Sequence, residues 1–139
     1  RRLDESRAAR LDVRDSAPQS FVLPWRALVQ ALGSLVKNAF EATSNSDAHV
    51  TLAIDSAGDR LRFSVIDVGS GMTADQLARV GEPFFTTKEA GAGMGLGVFL
   101  ARAFADRLGG TLSFESETAR GTHVVLEIPA AAKTKPETA

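Results

Sequence analysis

The sequence predicts an α/β (α+β) sandwich in which helices cover one face of a mixed sheet. Two observations carry this prediction: two long segments repeat apolar residues with the period of a helix, and several short segments alternate apolar and polar residues as strands do. In chain order these are strands, a helix, a strand hairpin, a glycine-rich segment, a helix and a second hairpin. That order brings both helices onto one sheet. At 139 residues, the chain has the size of one domain.

The first long helix begins after a stretch of mixed character. The segments before it are a charged linker remnant over 1–8, a strand over 9–14, a turn over 15–20 and a short apolar strand over 21–23. Pro24 suits the first position of a helix, and the helical period holds from Trp25 to Thr43. The predicted core face of this helix consists of Trp25, Leu28, Leu32, Leu35, Val36, Ala39 and Ala42.

The later elements follow from alternation and from turn residues. Residues 49–54 and 60–66 are predicted to be the strands of a hairpin with a loop over 55–59. Gly109 and Gly110 end the second long helix, which spans 96–108. The remaining predictions are a short helix over 74–80, strands over 111–116 and 123–128, and a disordered tail over 130–139, which leaves 9–129 as the domain.

Composition and charge exclude several classes of function. Apolar residues make up 44% of the chain and charged residues 24%, as in ordinary globular proteins. The net charge of −1 argues against nucleic acid as a ligand, and no apolar run approaches a membrane span, which needs about 18 residues. Without cysteine, the chain has no disulfide, thiolate metal site or cysteine nucleophile, and its two histidines are too few for a multi-histidine zinc site.

A polar strip borders the apolar face of the first long helix. Ser34, Asn38 and Glu41 lie close together when residues are spaced at about 100° around a helix. An asparagine amide oxygen is a hard, neutral ligand that suits Mg²⁺ at a phosphate site. From the spacing alone, the alternative is an exposed helix edge without a ligand.

Asp67, Gly69 and Gly71 directly follow an apolar strand. Glycines let the backbone turn sharply and approach a ligand closely. A carboxylate at the end of a strand can accept a hydrogen bond from an exocyclic amine such as that of adenine; the alternative is an ordinary Asp-Gly turn. Thr122 enters the last strand and can place its hydroxyl near Asp67, although a plain β-turn explains this segment equally well.

A second glycine-rich stretch, Gly91-Ala92-Gly93-Met94-Gly95-Leu96-Gly97, leads into the second long helix. Backbone amides at a helix N-terminus attract phosphate. The stretch is not a dinucleotide fingerprint, because no strand immediately precedes it, and it is not a Walker loop, because no Gly-Lys-Ser/Thr follows. The alternative is a flexible surface loop.

Two adjacent aromatic residues, Phe84 and Phe85, lie in the segment Glu82-Pro83-Phe84-Phe85-Thr86-Thr87-Lys88. Such a pair is unexpected in a loop that is only solvated. The two rings are either plugs of the core or a docking surface for a partner.

These motifs occur together and in a recognisable order. Asn38 in Asn-Ala-x-Glu-Ala, Asp67-x-Gly-x-Gly, Glu-Pro-Phe-Phe-Thr-Thr-Lys, Gly-x-Gly-x-Gly-Leu-Gly and Gly-Thr resemble the N, G1, F, G2 and G3 boxes of sensor histidine kinases. Residues 9–129 are similar to the catalytic and ATP-binding domain of these enzymes, which has the Bergerat (GHKL) ATP-binding fold shared with Hsp90, gyrase B and MutL. The phenylalanine box narrows the resemblance to histidine kinases, and residues 93–102 are similar to the redox-responsive RegB/PrrB kinases.

The resemblance implies ATP and Mg²⁺ as ligands. Asn38 would be the Mg²⁺ ligand, and Asp67 would bind the adenine amine, with Thr122 assisting through water. Residues 73–97 would form a mobile lid over ATP. The implied ATP-binding residues are Asn38, Asp67, Gly69, Gly71, Lys88, Gly91, Gly93, Gly95, Leu96 and Thr122.

Two positions depart from the pattern of the family. Ser34 stands where many members have Asn and where the Hsp90 and MutL branches have a water-activating Glu. Because serine is a poor base, an efficient ATPase is not expected. Glu41 occupies a position where some kinases use a phosphate-binding Lys, and Lys37 and Lys88 are the candidates for supplying that charge.

The resemblance also implies that the chain is one half of a two-domain enzyme. Histidine kinases phosphorylate a His in a His-Glu or His-Asp motif on a dimeric helical hairpin. Here His49 and His123 lie in strand patterns without that motif and are predicted to be structural or exposed. No catalytic residue is therefore expected in this chain, and Phe84 and Phe85 would contact the hairpin domain.

The implied partners are the dimerisation and phosphoacceptor domain of the same kinase and the receiver domain of a response regulator. The full-length kinase is expected to be a homodimer, and this chain a cytoplasmic domain of a membrane-anchored sensor. Two alternatives remain: a stand-alone Bergerat-fold regulator such as an anti-sigma-factor serine kinase, and a non-catalytic nucleotide-binding module. The segment 82–88 argues against the first, and Ser34 leaves the second open.

Overall fold

Five strands form one mixed sheet, and two long helices pack against one face of it. The computed structural model describes residues 10–16, 23–43, 49–80, 82 and 96–130. The strands are β1 (Arg10–Asp15), β2 (His49–Ala57), β3 (Arg60–Asp67), β4 (Thr111–Glu117) and β5 (Gly121–Pro129), and the helices are α1 (Trp25–Ala42), α2 (Ala74–Arg79) and α3 (Gly97–Arg107). The strand order is β1-β2-β3-β5-β4, with β1 parallel to β2 and the other neighbours antiparallel. The predicted mixed sheet with helices on one face is confirmed.

The core lies between the sheet and the helices α1 and α3. α1 contacts β2 and β3, α3 contacts β4 and β5, and the two helices contact each other. Alternate residues of a strand share a face, so every second residue of β3 and β5 is buried beneath the helices. These residues are Leu61, Phe63, Val65, Val124, Leu126 and Ile128. Among the described elements, β1 contacts only β2, which leaves Leu11 and Val13 of β1 exposed.

The buried face of α1 is narrower than the sequence predicts. Its buried residues are Leu28, Ala31, Leu35 and Ala39. Leu32 and Val36 are only partly buried. Trp25, assigned to the core face, is 63% exposed, and the Arg26 guanidinium lies 5.4 Å from the centroid of its ring. The reason is that the sheet and α3 together cover only the side of α1 that carries Leu28 and Ala31.

The hairpin between β2 and β3 is tighter than predicted. The loop predicted over 55–59 is wrong, because Asp55 and Ala57 pair with residues of β3 and only Gly58 and Asp59 form the turn. Gly58 has φ +64°, a conformation that two-residue hairpin turns favour. Cross-strand pairing therefore extends the strand through polar residues that look like loop residues in the sequence.

Smaller differences occur at other element ends. β5 begins at Gly121 rather than at residue 123. Of the strand predicted over 21–23, only Leu23 lies within the described residues, and it belongs to no strand. α3 ends at Gly109 and Gly110 as predicted: Gly109 has φ +76°, and the Gly110 N–H donates to the Ala105 carbonyl at 2.8 Å, which closes the helix end. Across the described ranges, no helix has the length and apolarity that crossing a membrane requires.

The variants Gly110→Ala and Gly33→Ala should have opposite effects on stability. A Cβ at Gly110 would overlap the Glu127 carbonyl oxygen and lie 2.9 Å from Ile128 Cγ2. Because the backbone would have to shift to avoid this overlap, the free energy of unfolding should fall by about 1–3 kcal/mol. At Gly33, on the exposed side of α1, no atom of the described residues lies within 4 Å of the Cβ position apart from the neighbouring backbone of the helix itself. Alanine at position 33 should raise the free energy of unfolding by about 0.8–1 kcal/mol, because alanine is a better helix former than glycine.

Urea unfolding of the two variants and the wild type measures both changes. A Gly110→Ala variant as stable as the wild type would contradict the close approach of this glycine to β5.

Candidate functional site

One buried carboxylate marks the end of β3. Asp67 is 5% exposed and lies directly opposite Thr122 of β5, on the face of the sheet that the helices cover. Its Oδ1 accepts a hydrogen bond from the Gly69 N–H at 2.8 Å. The backbone N–H of Thr122 also donates to this carboxyl group. The structure therefore brings Asp67 and Thr122 together, as the sequence analysis anticipated.

The environment of Asp67 acts on its charge in two directions. Burial raises the pKa of the Asp67 carboxyl above its ordinary value, because desolvation disfavours the charged form. The hydrogen bonds from the backbone of Gly69 and Thr122 oppose this rise and stabilise the carboxylate, but burial prevails. Within the part of the chain that the structure describes, Asp67 is thus a shielded acceptor held by backbone donors rather than by a cationic side chain.

The residues after Asp67 form a strap, defined here as Val68–Met72, that lies between α1 and the β4–β5 hairpin. The Ser70 N–H donates to the Ala42 carbonyl at 3.1 Å, and the Ser70 carbonyl accepts from the Ala119 N–H at 2.7 Å. A Cβ at Gly69 would overlap the carbonyl oxygen of Ala42. The strap therefore approaches the end of α1 so closely that only glycine fits at position 69.

Gly71 and Gly121 meet the same constraint at the hairpin. Gly71 has φ +69°, and a Cβ on it would overlap the Glu117 carbonyl oxygen. Gly121 has φ +99°, and a Cβ on it would overlap the Asp67 carbonyl oxygen. Both positions require a left-handed backbone and close backbone contact, and both conditions favour glycine.

Ser116 is a site residue that the sequence analysis missed. Its hydroxyl lies 2.8 Å from the Met72 N–H, 3.0 Å from the Gly121 carbonyl and 2.8 Å from the Thr122 hydroxyl. It therefore connects the strap, β4 and β5. One signal in the sequence points to it: Ser116 continues the alternation of Leu112 and Phe114, so a polar side chain occupies an inward position of β4.

The second part of the candidate site lies where α1 meets the start of α3. A Cβ at Gly97 would lie 3.2 Å from Ser34 Cβ and 4.0 Å from Asn38 Nδ2. Asn38 and Ser34 are half-buried, whereas Glu41 is exposed. Of the predicted polar strip, Glu41 therefore differs from the other two residues and faces solvent. The N-cap residue of α3 is Leu96, whose apolar side chain makes no capping hydrogen bond. Asn38 thus lies beside the positive end of a helix dipole, where an anion is stabilised.

Asn38 fits a Mg²⁺ site of the kind in which phosphates supply most of the ligands. Magnesium in such sites uses one or two protein oxygens, several waters and the phosphate oxygens of the substrate. The Asn38 amide offers one such oxygen next to a helix end that attracts phosphate. Six predicted residues, Lys88, Gly91, Gly93, Gly95, Phe84 and Phe85, lie outside the described residues.

A shallow depression of about 410 Å³ lies at the same end of the sheet, and its lining includes Asp67, Ser116 and Thr122 of the candidate site. Its other lining residues include Ile66, His123 and Glu115. Each lies one position from Asp67, Thr122 or Ser116 on its strand and therefore points away from the helices. His123 Nδ1 lies 3.9 Å from Glu115 Oε1, and His49 Nε2 lies 2.6 Å from Asp12 Oδ2. Both histidines are strand residues, as predicted, and each also lies beside a carboxylate.

Comparison with known families and proteins agrees with this geometry. The family model described as "Histidine kinase-, DNA gyrase B-, and HSP90-like ATPase" matches residues 25–132. The chain belongs to this family.

Relatives of the domain include sensor kinases. It is 39% identical over 100 residues to the sensor protein DegM from Bacillus sp. (strain B21-2). This aligned region covers 72% of the present chain and 26% of DegM. It is 32% identical over 120 residues to the sensor histidine kinase ZraS from Escherichia coli (strain K12). That aligned region covers 86% of the present chain and 25% of ZraS. The chain thus spans about a quarter of the length of these curated relatives.

Solved structures show the same fold. Full-length ShkA in complex with AMPPNP superimposes with a TM-score of 0.81 at 28% identity, over 95% of this chain and 28% of that one. The nucleotide-free catalytic domain of histidine kinase ThkA superimposes with a TM-score of 0.76 at 26% identity, over 90% of this chain and 82% of that one. The Bergerat fold and the resemblance to the ATP-binding domain of sensor histidine kinases are confirmed. The likeness to RegB/PrrB kinases is not tested and stays a prediction.

Asp67→Asn should stabilise the folded domain at neutral pH. Because the pKa of Asp67 is raised in the folded state, this carboxyl contributes stability below its ordinary pKa of 3.8 and loses that contribution as pH rises through the folded value. Asparagine mimics the neutral form, so the variant should exceed the wild type in stability by a margin that grows as pH rises from about 4 and then levels off.

Urea unfolding across that pH range measures the margin. Asp59→Asn, which removes one negative charge at the exposed β2–β3 turn, is the matched control with which the margin at Asp67 is compared. A margin that shrinks with rising pH would mean that the backbone donors outweigh burial at Asp67.

Proposed function

We propose that this chain is the ATP·Mg²⁺-binding catalytic domain of a two-component sensor histidine kinase, which transfers the γ-phosphoryl group to a His on a separate dimerisation domain. The observation that carries the proposal is Asp67. A buried carboxylate, held by backbone donors and flanked by a glycine strap, is a preorganised acceptor for an exocyclic amine. The sensor kinases among its relatives favour this role over that of a stand-alone regulator.

The adenine end of the site is proposed to lie at Asp67 and Thr122. The Asp67 carboxylate would accept from the adenine amine, with Thr122 contributing through its hydroxyl or a bridging water. Gly69 and Gly71 would shape the pocket, since their close packing against Ala42 and Glu117 sets the path of the strap. ATP binding at this place is consistent with the AMPPNP complex of the related ShkA.

The phosphate end is proposed to lie at Asn38 and the N-terminus of α3. The backbone amides of the first turn of α3, which Leu96 does not cap, would donate to the phosphates. Asn38 would supply an oxygen to Mg²⁺, which neutralises phosphate charge. We extend this end of the site to Lys88, Gly91, Gly93 and Gly95 on the basis of the sequence motif. The distance along α1 from Asn38 to Ala42 is about one helical turn, so one rigid helix sets the separation of the two ends.

Phosphoryl transfer in this site would need positioning and charge neutralisation rather than a base within the chain. Loose transition states of phosphoryl transfer demand little covalent chemistry from the protein. Ser34, beside Gly97, is a poor base, which suits an enzyme that must keep ATP from water until an acceptor imidazole arrives. The phosphoryl group would then pass from the acceptor His to an Asp of a response regulator.

Docking of the acceptor domain is assigned to Phe84 and Phe85, and the described residues add to that surface. Phe99 and Leu100, in the first turn of α3, are 37% and 59% exposed beside the phosphate end. Exposed apolar side chains next to a reaction centre favour a partner interface. We propose that the full-length kinase is a homodimer, anchored in the membrane with this domain in the cytoplasm.

The transfer reaction gives the most direct test. Incubated with γ-labelled ATP and Mg²⁺, the full-length protein should acquire an acid-labile, alkali-stable phosphohistidine, whereas this chain alone should stay unlabelled. Mixed with its separate acceptor domain, the chain should label that domain slowly, because the effective concentration supplied by the tether is lost. Label on His49 or His123, or no label in the full-length protein, would contradict the proposal.

The double variant Phe84→Ala with Phe85→Ala separates docking from folding within the same assay. Transfer should fall about a hundredfold while ATP affinity and melting temperature stay close to wild type, because a small misplacement of the reacting groups suffices for such a loss. Early unfolding with normal transfer per folded molecule would identify the two rings as core plugs.

Asn38→Ala should weaken binding of ATP·Mg²⁺ about tenfold and leave adenosine binding nearly unchanged, because the proposed role of its amide is at the phosphate end and not at the base. Calorimetric titration with ATP·Mg²⁺, ATP plus EDTA and adenosine measures the difference. Gln30→Ala removes an exposed amide from the same helix and is the matched control. An equal loss for adenosine and ATP·Mg²⁺ would indicate damage to α1 instead.

A further inference from the structure

The Ser116 hydroxyl lies at the centre of a small hydrogen-bond network next to Asp67 and Thr122. Ser116 Oγ lies within hydrogen-bond distance of three groups in two other segments, the strap and β5: the Met72 N–H at 2.8 Å, the Gly121 carbonyl at 3.0 Å and the Thr122 hydroxyl at 2.8 Å. Ser116, Thr122 and Asp67 occupy one row across β4, β5 and β3, with Thr122 in the middle. The row lies on the side of the sheet that faces the helices.

The direction of each hydrogen bond follows from counting protons. The Met72 N–H can only donate, so Ser116 Oγ accepts from it. The Gly121 carbonyl can only accept, so it takes the single proton of Ser116. The Ser116 hydroxyl has no proton left for Thr122, and the bond between the two hydroxyls therefore uses the proton of Thr122.

We infer that Ser116 is a positioning residue for base recognition: it binds the proton of the Thr122 hydroxyl, so that Thr122 and Asp67 present only hydrogen-bond acceptors to the nucleotide base. This inference rests on the proposed function, since it takes Asp67 and Thr122 as the adenine end of the site. Directly opposed residues on antiparallel strands have Cβ atoms about 4.5–5.5 Å apart, so both side chains border the same space.

A pocket edge made only of acceptors discriminates between purines. The exocyclic amine of adenine donates, either to Asp67 directly or to Thr122 through a water that itself must donate to Thr122 Oγ1. Guanine in the same orientation places its O6 acceptor against two acceptors, so that O6 gains no hydrogen bond from Asp67 or Thr122, which is costly in a buried site. If the Thr122 hydroxyl were free to rotate, it could donate to O6 and reduce this penalty.

The experiment compares ATP and GTP affinities of the 139-residue chain with Mg²⁺ present, by calorimetric titration. Ser116→Ala should weaken ATP binding by between about threefold and tenfold, as expected for one lost hydrogen bond, and should lower the ratio of ATP to GTP affinity. Thr122→Val should lower the ratio too. The double variant should be no less selective than Thr122→Val alone, because Ser116 acts through the Thr122 hydroxyl.

Two further variants separate orientation of the hydroxyl from general stability. Ser113→Ala removes an exposed hydroxyl from the same strand and should leave affinity and selectivity unchanged. Ser116→Thr restores a hydroxyl and should recover the ATP:GTP ratio. If Ser116→Ala does not fold, Ser116→Cys keeps the shape with much weaker hydrogen bonding, and its ratio decides the question in the same way.

The outcomes distinguish the two levels of the proposal. If the wild type binds ATP and Asp67→Asn weakens that binding, but the ATP:GTP ratio of Ser116→Ala equals that of the wild type, the role of Ser116 is wrong and the proposed function stands. If the wild type does not bind ATP, or binds it independently of Asp67, the proposed function itself fails.

Discussion

The architecture of the site depends on one buried carboxylate at the end of a central strand. Burying Asp67 without partners would be costly, so the chain must bring donors to it. The Gly69 and Thr122 N–H groups do so, and both come from backbone. To place Gly69 within 2.8 Å of Oδ1, the chain must turn immediately after β3, and that turn carries the strap into contact with α1 and the β4–β5 hairpin.

The strap explains why glycines recur around Asp67. Gly69 lies against the Ala42 carbonyl, Gly71 against that of Glu117, and Gly121 against that of Asp67 itself. Each contact is between backbones, so a side chain at any of the three positions would separate elements that meet at the carboxylate. The base end of the site is therefore rigid, and its geometry is coupled to the C-terminus of α1.

This coupling connects the two ends of the proposed ATP site. α1 carries Asn38 about one turn before Ala42, where the strap is bound, and Gly97 brings the start of α3 against Ser34 and Asn38. The two ends of the proposed nucleotide site are thus both in contact with a single helix. An enzyme that only positions ATP for an acceptor on another domain gains from such rigidity, because transfer of this kind depends on placement more than on reactive side chains.

The sequence by itself determined the elements and the chemical types at the site. Helical periodicity located α1 and α3, alternation located the strands, and Asp67, Gly69, Gly71 and Asn38 stood out because their residue types suit a strand end and a polar helix edge. Local patterns report on one element at a time, and these features are local.

Only the tertiary structure decided what depends on partners from elsewhere in the chain. The exposure of Trp25 follows from how far the sheet and α3 extend around α1, and the short β2–β3 turn follows from pairing of Asp55 and Ala57 across the hairpin. Ser116 became a site residue through the register that sets it opposite Thr122. Strand register and helix coverage are set by contacts between distant segments, and no periodicity within a single segment encodes them.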